Sequence, residues 1–275
     1  RQSSGLSLND TAQKMSQKPE RISLWESGDE QPSISQLRKL ATLYKRPLAV
    51  FYLPQPPEEV STLRDFRRLV PNVSRTYSPK LRALIRDVEQ RRDVAIELAE
   101  QLDEIPSEFP VKASLANNPE PLAERMRATL GISYSEQTCW KDPYTALKAW
   151  IQATEELGVL VFQSSDIPIE EMRGFSIPNE QFPVIVINSK DFPNGRIFTL
   201  MHELTHITLR QGGLCNLEED SESPPSTEEQ LMEVFCNHVA GAILVPKENL
   251  LAESIIRLKS PESEFTNDEI GRAHV

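Results

Sequence analysis

The residues with the clearest capacity for chemistry are His202-Glu-Leu-Thr-His206. On a helix, positions four apart lie about 40° apart around the axis, so both imidazoles project from one face and can share a cation. Glu203, on the flank of that face, can reach a metal-bound water. Phe198, Leu200, Met201, Leu204 and Leu209 make the segment apolar on more than one side, which predicts a buried helix rather than one with surface histidines. Buried imidazoles beside a carboxylate need partners or a metal to offset their desolvation.

A catalytic zinc typically takes three protein ligands and leaves one position for water or substrate. Glu233 is the leading candidate for the third, because it opens a second apolar helix running to Pro246, whose small Ala240, Gly241 and Ala242 allow close approach to the first. Asn237, one turn on, shares its face and can accept the other ring N–H of a ligating histidine, which fixes the tautomer. His238, Cys236, Cys215 and the acids Glu218, Glu219 and Asp220 are the competitors. His238 lies about 140° around the helix from Glu233, so the two do not bind one ion together. With two histidines and one carboxylate, a metal lowers the pKa of its water towards about 7, Glu203 takes the proton, and amide hydrolysis follows. The run Val184–Ile187, just upstream, reads either as an edge strand that pairs with an extended peptide or as an ordinary core strand.

These residues need elements to hold them. Over 275 residues, 39% of them hydrophobic, there is material for two packed domains. No apolar run approaches the roughly 20 residues that span a bilayer. Three cysteines (Cys139, Cys215, Cys236) without a CxxC point to a reducing compartment, with the cytoplasm as the default. The net charge of −11 is unevenly spread: residues 1–100 carry 17 Lys+Arg against 13 Asp+Glu, which leaves the remainder at −15. Such asymmetry fits two modules with different partners, as does the proline-rich Leu53–Glu59 between them.

Ahead of the prolines the pattern is helical. Ser7-Leu-Asn-Asp10 reads as a capping box for a helix to Met15, Pro19 as a first-turn proline for a helix ending at Gly28, and Ser33-Ile-Ser-Gln36 as a second capping box. Beyond them, helices are expected at Pro79–Leu102, Leu122–Leu130, Tyr144–Leu157, Ile197–Arg210 and Glu228–Leu244. Strands are expected at Val159–Phe162, Met172–Ile177 and Val184–Ile187, and an acidic loop at Asn216–Thr227. The fold class is therefore α+β, mostly helical.

From Gly174-Phe175 through Val184–Asn188 and Phe198–His206 to Glu233–Pro246, the sequence resembles the ImmA/IrrE-type zinc metallopeptidases. The last stretch is similar to that family's E-x-x-A-N-x-F-A-x-x-L-L-M-P helix, with Cys236 in place of Ala, Val239 of Phe and Val245 of Met. The resemblance implies a zincin-like domain with a small sheet, His202, His206 and Glu233 as zinc ligands and Glu203 as base. It also implies cleavage of a repressor-type regulatory protein under stress or prophage induction. Cys236, three residues from Glu233, offers a thiol that competes for zinc or senses oxidation, or else a small buried hydrophobe.

The N-terminal segment resembles an XRE/Cro-type helix-turn-helix, carried by Gly5–Ala12, Ile22-Ser-Leu-Trp-Glu-Ser-Gly28, Pro32-Ser33 and Leu37-x-x-Leu-Ala41, with the first helix truncated. The resemblance puts Pro19, Glu20 and Leu24 where base edges are usually met, flanked by Lys18, Arg21 and Ser23. Lys18 and Arg21 suit phosphate better than an acid and two apolar residues suit bases. The whole, with Asp65-Phe-Arg67, is similar to fused regulator-peptidases. The expected organisation is a helix-turn-helix domain over 1–53, a linker over 54–78 and a metallopeptidase-like domain over 79–275 led by a long helix. The expected function is a cytoplasmic zinc-dependent regulatory endopeptidase, with DNA or a partner protein bound by its N-terminal domain and with homodimers usual for such modules. The alternative is a DNA-binding regulator whose peptidase-like half is a sensor with little turnover. Ile270–Val275, including His274, resembles the start of a helix that the family continues.

Overall fold

The computed structural model describes residues 1, 4–53, 64–65, 77–104, 108–210, 213–215 and 228–252. The chain forms two compact units, one of residues 1–62 and 70–91, the other of 63–69 and 92–275. No helix among the described residues is long and apolar enough to cross a membrane.

In the first unit, helices α1 (Leu8–Met15), α2 (Pro19–Ser27) and α3 (Ile34–Tyr44) form where the caps predict. Ser7 with Asp10, and Ser33 with Gln36, close reciprocal capping boxes. Gly28 ends α2 at φ 85°, a left-handed turn that costs glycine little. Leu6, Ala12, Met15, Ile22, Leu40 and Tyr44 make the core, and a 3₁₀ turn at Leu48–Tyr52 stacks Phe51 on Tyr44.

Helix α4 (Pro79–Gln101) was expected to belong whole to the second domain, but the division runs through it at Arg91. The reason lies in its opening turns. Leu81, Ile85 and Val88 recur at helical spacing and are buried, and Arg86 donates to the Lys45 carbonyl within the first unit.

The second unit packs helices against a five-stranded sheet. Its helices are α5 (Pro119–Leu130), α6 (Tyr134–Gln137), α7 (Pro143–Glu155), α8 (Pro193–Thr208), α9 (Glu228–Leu244) and α10 (Lys247–Ala252). The strands β1 (Arg64–Asp65), β2 (Leu160–Ser164), β3 (Gly174–Ile177), β4 (Val184–Asn188) and β5 (Gly213–Cys215) lie in the order β1-β5-β3-β4-β2. β4 pairs in parallel with β2 and antiparallel with β3, so it is a core strand with both edges taken and no room for an added peptide. β1 lies inside the stretch read as a linker, paired in parallel with β5. Main-chain pairing at a sheet margin needs no apolar pattern, so neither short strand announces itself in the sequence.

Two features set the approach of α8 to this sheet. Asn188, fully buried at the end of β4, donates to the carbonyls of Ile167 and Met172 and so fixes the connection into β3. At Gly174, the first residue of β3, an added Cβ would lie 2.5 Å from Thr199 Cγ2 and 3.0 Å from the Val186 carbonyl oxygen. Helix and strand can meet there only without a side chain. Gly174→Ala should therefore lower stability by about 1–3 kcal/mol through overpacking, read as a reduced urea midpoint with an unchanged slope.

Candidate metal centre

Helix α8 begins at Pro193, an apt first-turn residue, and every side chain from Thr199 to Thr208 is buried. Thr205 and Thr208 satisfy their hydroxyls on the helix's own Met201 and Leu204 carbonyls. Thr199 Oγ1 has no hydrogen-bond partner among the described residues, and the ionisable groups of the stretch, His202, Glu203 and His206, are at most 1% exposed.

Helix α9 packs along α8 and supplies the partner. The Nε2 atoms of His202 and His206 face each other at 3.1 Å. Glu233 places Oε2 3.4 Å from His202 Nε2 and Oε1 3.3 Å from His206 Nε2. Around a tetrahedral zinc with bonds of about 2.0–2.1 Å, ligand atoms stand about 3.3 Å apart. The three side chains thus fit one small cation, through a donor set used by catalytic rather than structural zinc sites.

The electrostatics agree with that geometry. Burial alone would raise the Glu233 carboxyl, but hydrogen bonds and charge from His202 and His206 outweigh it and hold the value at about 2. Burial opposes charge on His202, yet the neighbouring Glu233 and Glu203 carboxylates raise its pKa on balance.

Glu203 sits beside this cluster without joining it. Ser176 Oγ, on β3, donates to Glu203 Oε2 at 2.8 Å, and Oε1 has no hydrogen-bond partner among the described residues. Burial pushes this carboxyl above its ordinary value. The sequence reading overlooked Ser176. Its signal is a hydroxyl in a strand buried at all four positions, where an oxygen must find a partner.

The other sequence candidates sort by position. Asn237 is near enough to the His202 ring to favour its protonated form, although His202 Nδ1 receives no hydrogen bond of good geometry. His238 points elsewhere and pairs with Glu120 at 2.9 Å. Cys236 is wholly buried in the apolar core and outside the ligand cluster, and burial drives its thiol well above the usual range. Gly241 gives no close approach, since an added Cβ there would meet open space; Ala240 is the small residue in the core. Glu218, Glu219, Asp220, His274 and the loop 216–227 lie outside the described residues, as does the side chain of Cys215.

On α2, Lys18, Glu20, Arg21, Ser23 and Leu24 are exposed together with Pro19 half-buried. Arg21 is engaged rather than open. Its guanidinium donates to Glu30 at 2.7 Å and Gln17 at 3.1 Å and lies 5.5 Å over the Trp25 ring.

Residues 154–255 match the peptidase family described as the IrrE N-terminal-like domain, and residues 1–51 match the helix-turn-helix family. Comparison with curated proteins gives no match. The first match runs from the end of α7 through α10 and so contains His202, His206 and Glu233.

If these side chains hold the ion, Glu233→Ala should cut bound zinc at least tenfold, whereas His238→Ala should leave a stoichiometric ion; metal analysis after dialysis distinguishes the two.

Proposed function

We propose that the chain, an N-terminal helix-turn-helix domain followed by an IrrE-like peptidase domain, is a zinc-dependent endopeptidase of the cytoplasm. Its substrate on this reading is a repressor-type or other specific regulatory protein, cleaved in a stress or prophage response. The carrying observation is the meeting of His202, His206 and Glu233 atoms within 4.8 Å of one another, two helices contributing to one buried point. Bound zinc supplies a Lewis acid that polarises a carbonyl and acidifies water.

The chain's own residues do the rest. The two imidazoles and Glu233 would hold the ion between α8 and α9, which pack against each other. Glu203 is the one further carboxylate at the cluster, and it takes a proton at Oε1, the oxygen that Ser176 leaves without a donor. The same carboxyl then returns the proton to the leaving amine. Ser176 is a positioning residue in this scheme, since it touches Glu203 and not the substrate.

The N-terminal domain, in this reading, binds DNA through Lys18 and Arg21 on phosphate. Arg21 becomes available only by leaving Glu30. Glu30→Gln should therefore tighten duplex binding and steepen its salt dependence by about one ion, measured by fluorescence anisotropy across a salt series.

One observation favours a second reading, a metal-holding sensor with little turnover: the Glu203 side chain is 0% exposed. Incubation of the zinc-loaded chain with a co-encoded repressor separates the two. A peptidase cleaves it, and Glu203→Gln keeps its zinc while losing about 10²–10⁴-fold in rate. Intact repressor with zinc bound to the wild-type chain supports the sensor instead.

A further inference from the structure

Within the second unit, α6, α7 and the facing ends of α8 and α9 enclose a cavity of about 300 Å³. Its wall is mainly apolar. Trp140 and Trp150 meet edge to face at 6.0 Å, and Ile197, Phe198, Leu244 and Val245 continue the surface.

One polar group in this wall lacks its complement. Gln137 donates its amide nitrogen to the Leu244 carbonyl at 2.9 Å, one of the orphan acceptors at the end of α9. Its Oε1 is left buried with no hydrogen-bond partner among the described residues. An acceptor held in an apolar surround favours an occupant that brings an N–H.

The cavity lies along the same helix as the metal-site histidines. Asn194, Phe198, His202 and His206 follow one another at four-residue spacing along a single face of α8. The first two line the cavity, and the Phe198 and His202 ring centroids are 6.5 Å apart. Four residues advance about 6 Å along a helix, and an extended peptide advances about 3.3 Å per residue. A chain whose carbonyl lies at the two imidazoles therefore has a neighbouring side chain, within about two residues, at the cavity.

We propose that this cavity is the side-chain pocket of the peptidase: it receives a bulky apolar residue of the substrate chain beside the cleaved bond, while Gln137 Oε1 accepts a backbone N–H of that chain. The proposal rests on the peptidase reading above. It adds which sequences are cut, because a pocket walled by two tryptophans and four aliphatic or aromatic side chains discriminates by burial of apolar surface.

The test fills the pocket and reads cleavage preference. Ala146, half-buried in its wall, and Val245 give two separate variants, Ala146→Phe and Val245→Phe, so a folding defect in one leaves the other informative. The zinc-loaded full chain is incubated with a peptide library of diverse sequence and the products are read by mass spectrometry. The wild type should favour Leu, Met or Phe at one position flanking the cut, tenfold or more over Ala. Both fillings should erase that preference, with zinc content retained. Cleavage by the variants with the wild-type preference intact overturns the pocket assignment and leaves the peptidase reading standing. A zinc-loaded wild type that cuts nothing removes the peptidase reading, and the pocket's role as a substrate subsite goes with it.

Discussion

Two imidazoles and two carboxylates lie in the interior of the second unit, and the elements near them supply partners that offset much of their desolvation. An unpaired ionised group there would cost several kcal/mol, enough to cancel most of a domain's net stability. Glu233 answers His202 and His206, and Ser176 answers Glu203. The part of α8 that carries three of these four groups, Thr199–Thr208, is consequently buried at every position, and the helix packs against α7, α9 and the sheet. Its apolar side chains, Ile197, Leu200, Met201, Leu204 and Ile207, join the core beside these groups.

This constraint also explains the sheet. α8 must approach β3 closely for Ser176 to reach Glu203, and the approach is made at a glycine, where any Cβ would collide with Thr199. β4 is held on both sides and is buried at every position, so it serves as the rigid floor on which β3 is registered. The reactive groups thus stand on regular elements rather than loops, which keeps their mutual distances fixed.

Much of this was legible in the sequence because it is written in local rules. The capping boxes at Ser7 and Ser33, the proline at 19 and the glycine at 28 bound their helices in place, and the four-residue spacing of His202 and His206 is a property of any helix. Glu233 stood out because it opens a second apolar helix, and helical phase separated it from His238. What stayed hidden depends on which distant surfaces meet. Ser176 is a ligand-like partner only because β3 faces α8, Gly241 looks like a contact residue until its side is known, and the two-residue strand β1 is defined by its neighbour's hydrogen bonds. The division between the units falls within α4 at Arg91, a boundary that helical periodicity alone does not mark.

The end of α9 carries a last implication. Its final carbonyls, on Ile243 and Leu244, are taken up by Arg127 of α5 at 2.6 Å and by Gln137 of α6 at 2.9 Å, with the Arg127 guanidinium lying over the Trp150 ring. All three side chains come from upstream of residue 154, where the recognisable peptidase stretch starts. The stretch that evolutionary comparison picks out is therefore smaller than the body that folds. A fragment trimmed to it would begin with an uncapped helix terminus and a stripped flank, so residues 119–153 are part of the scaffold of the centre although they carry none of its chemistry.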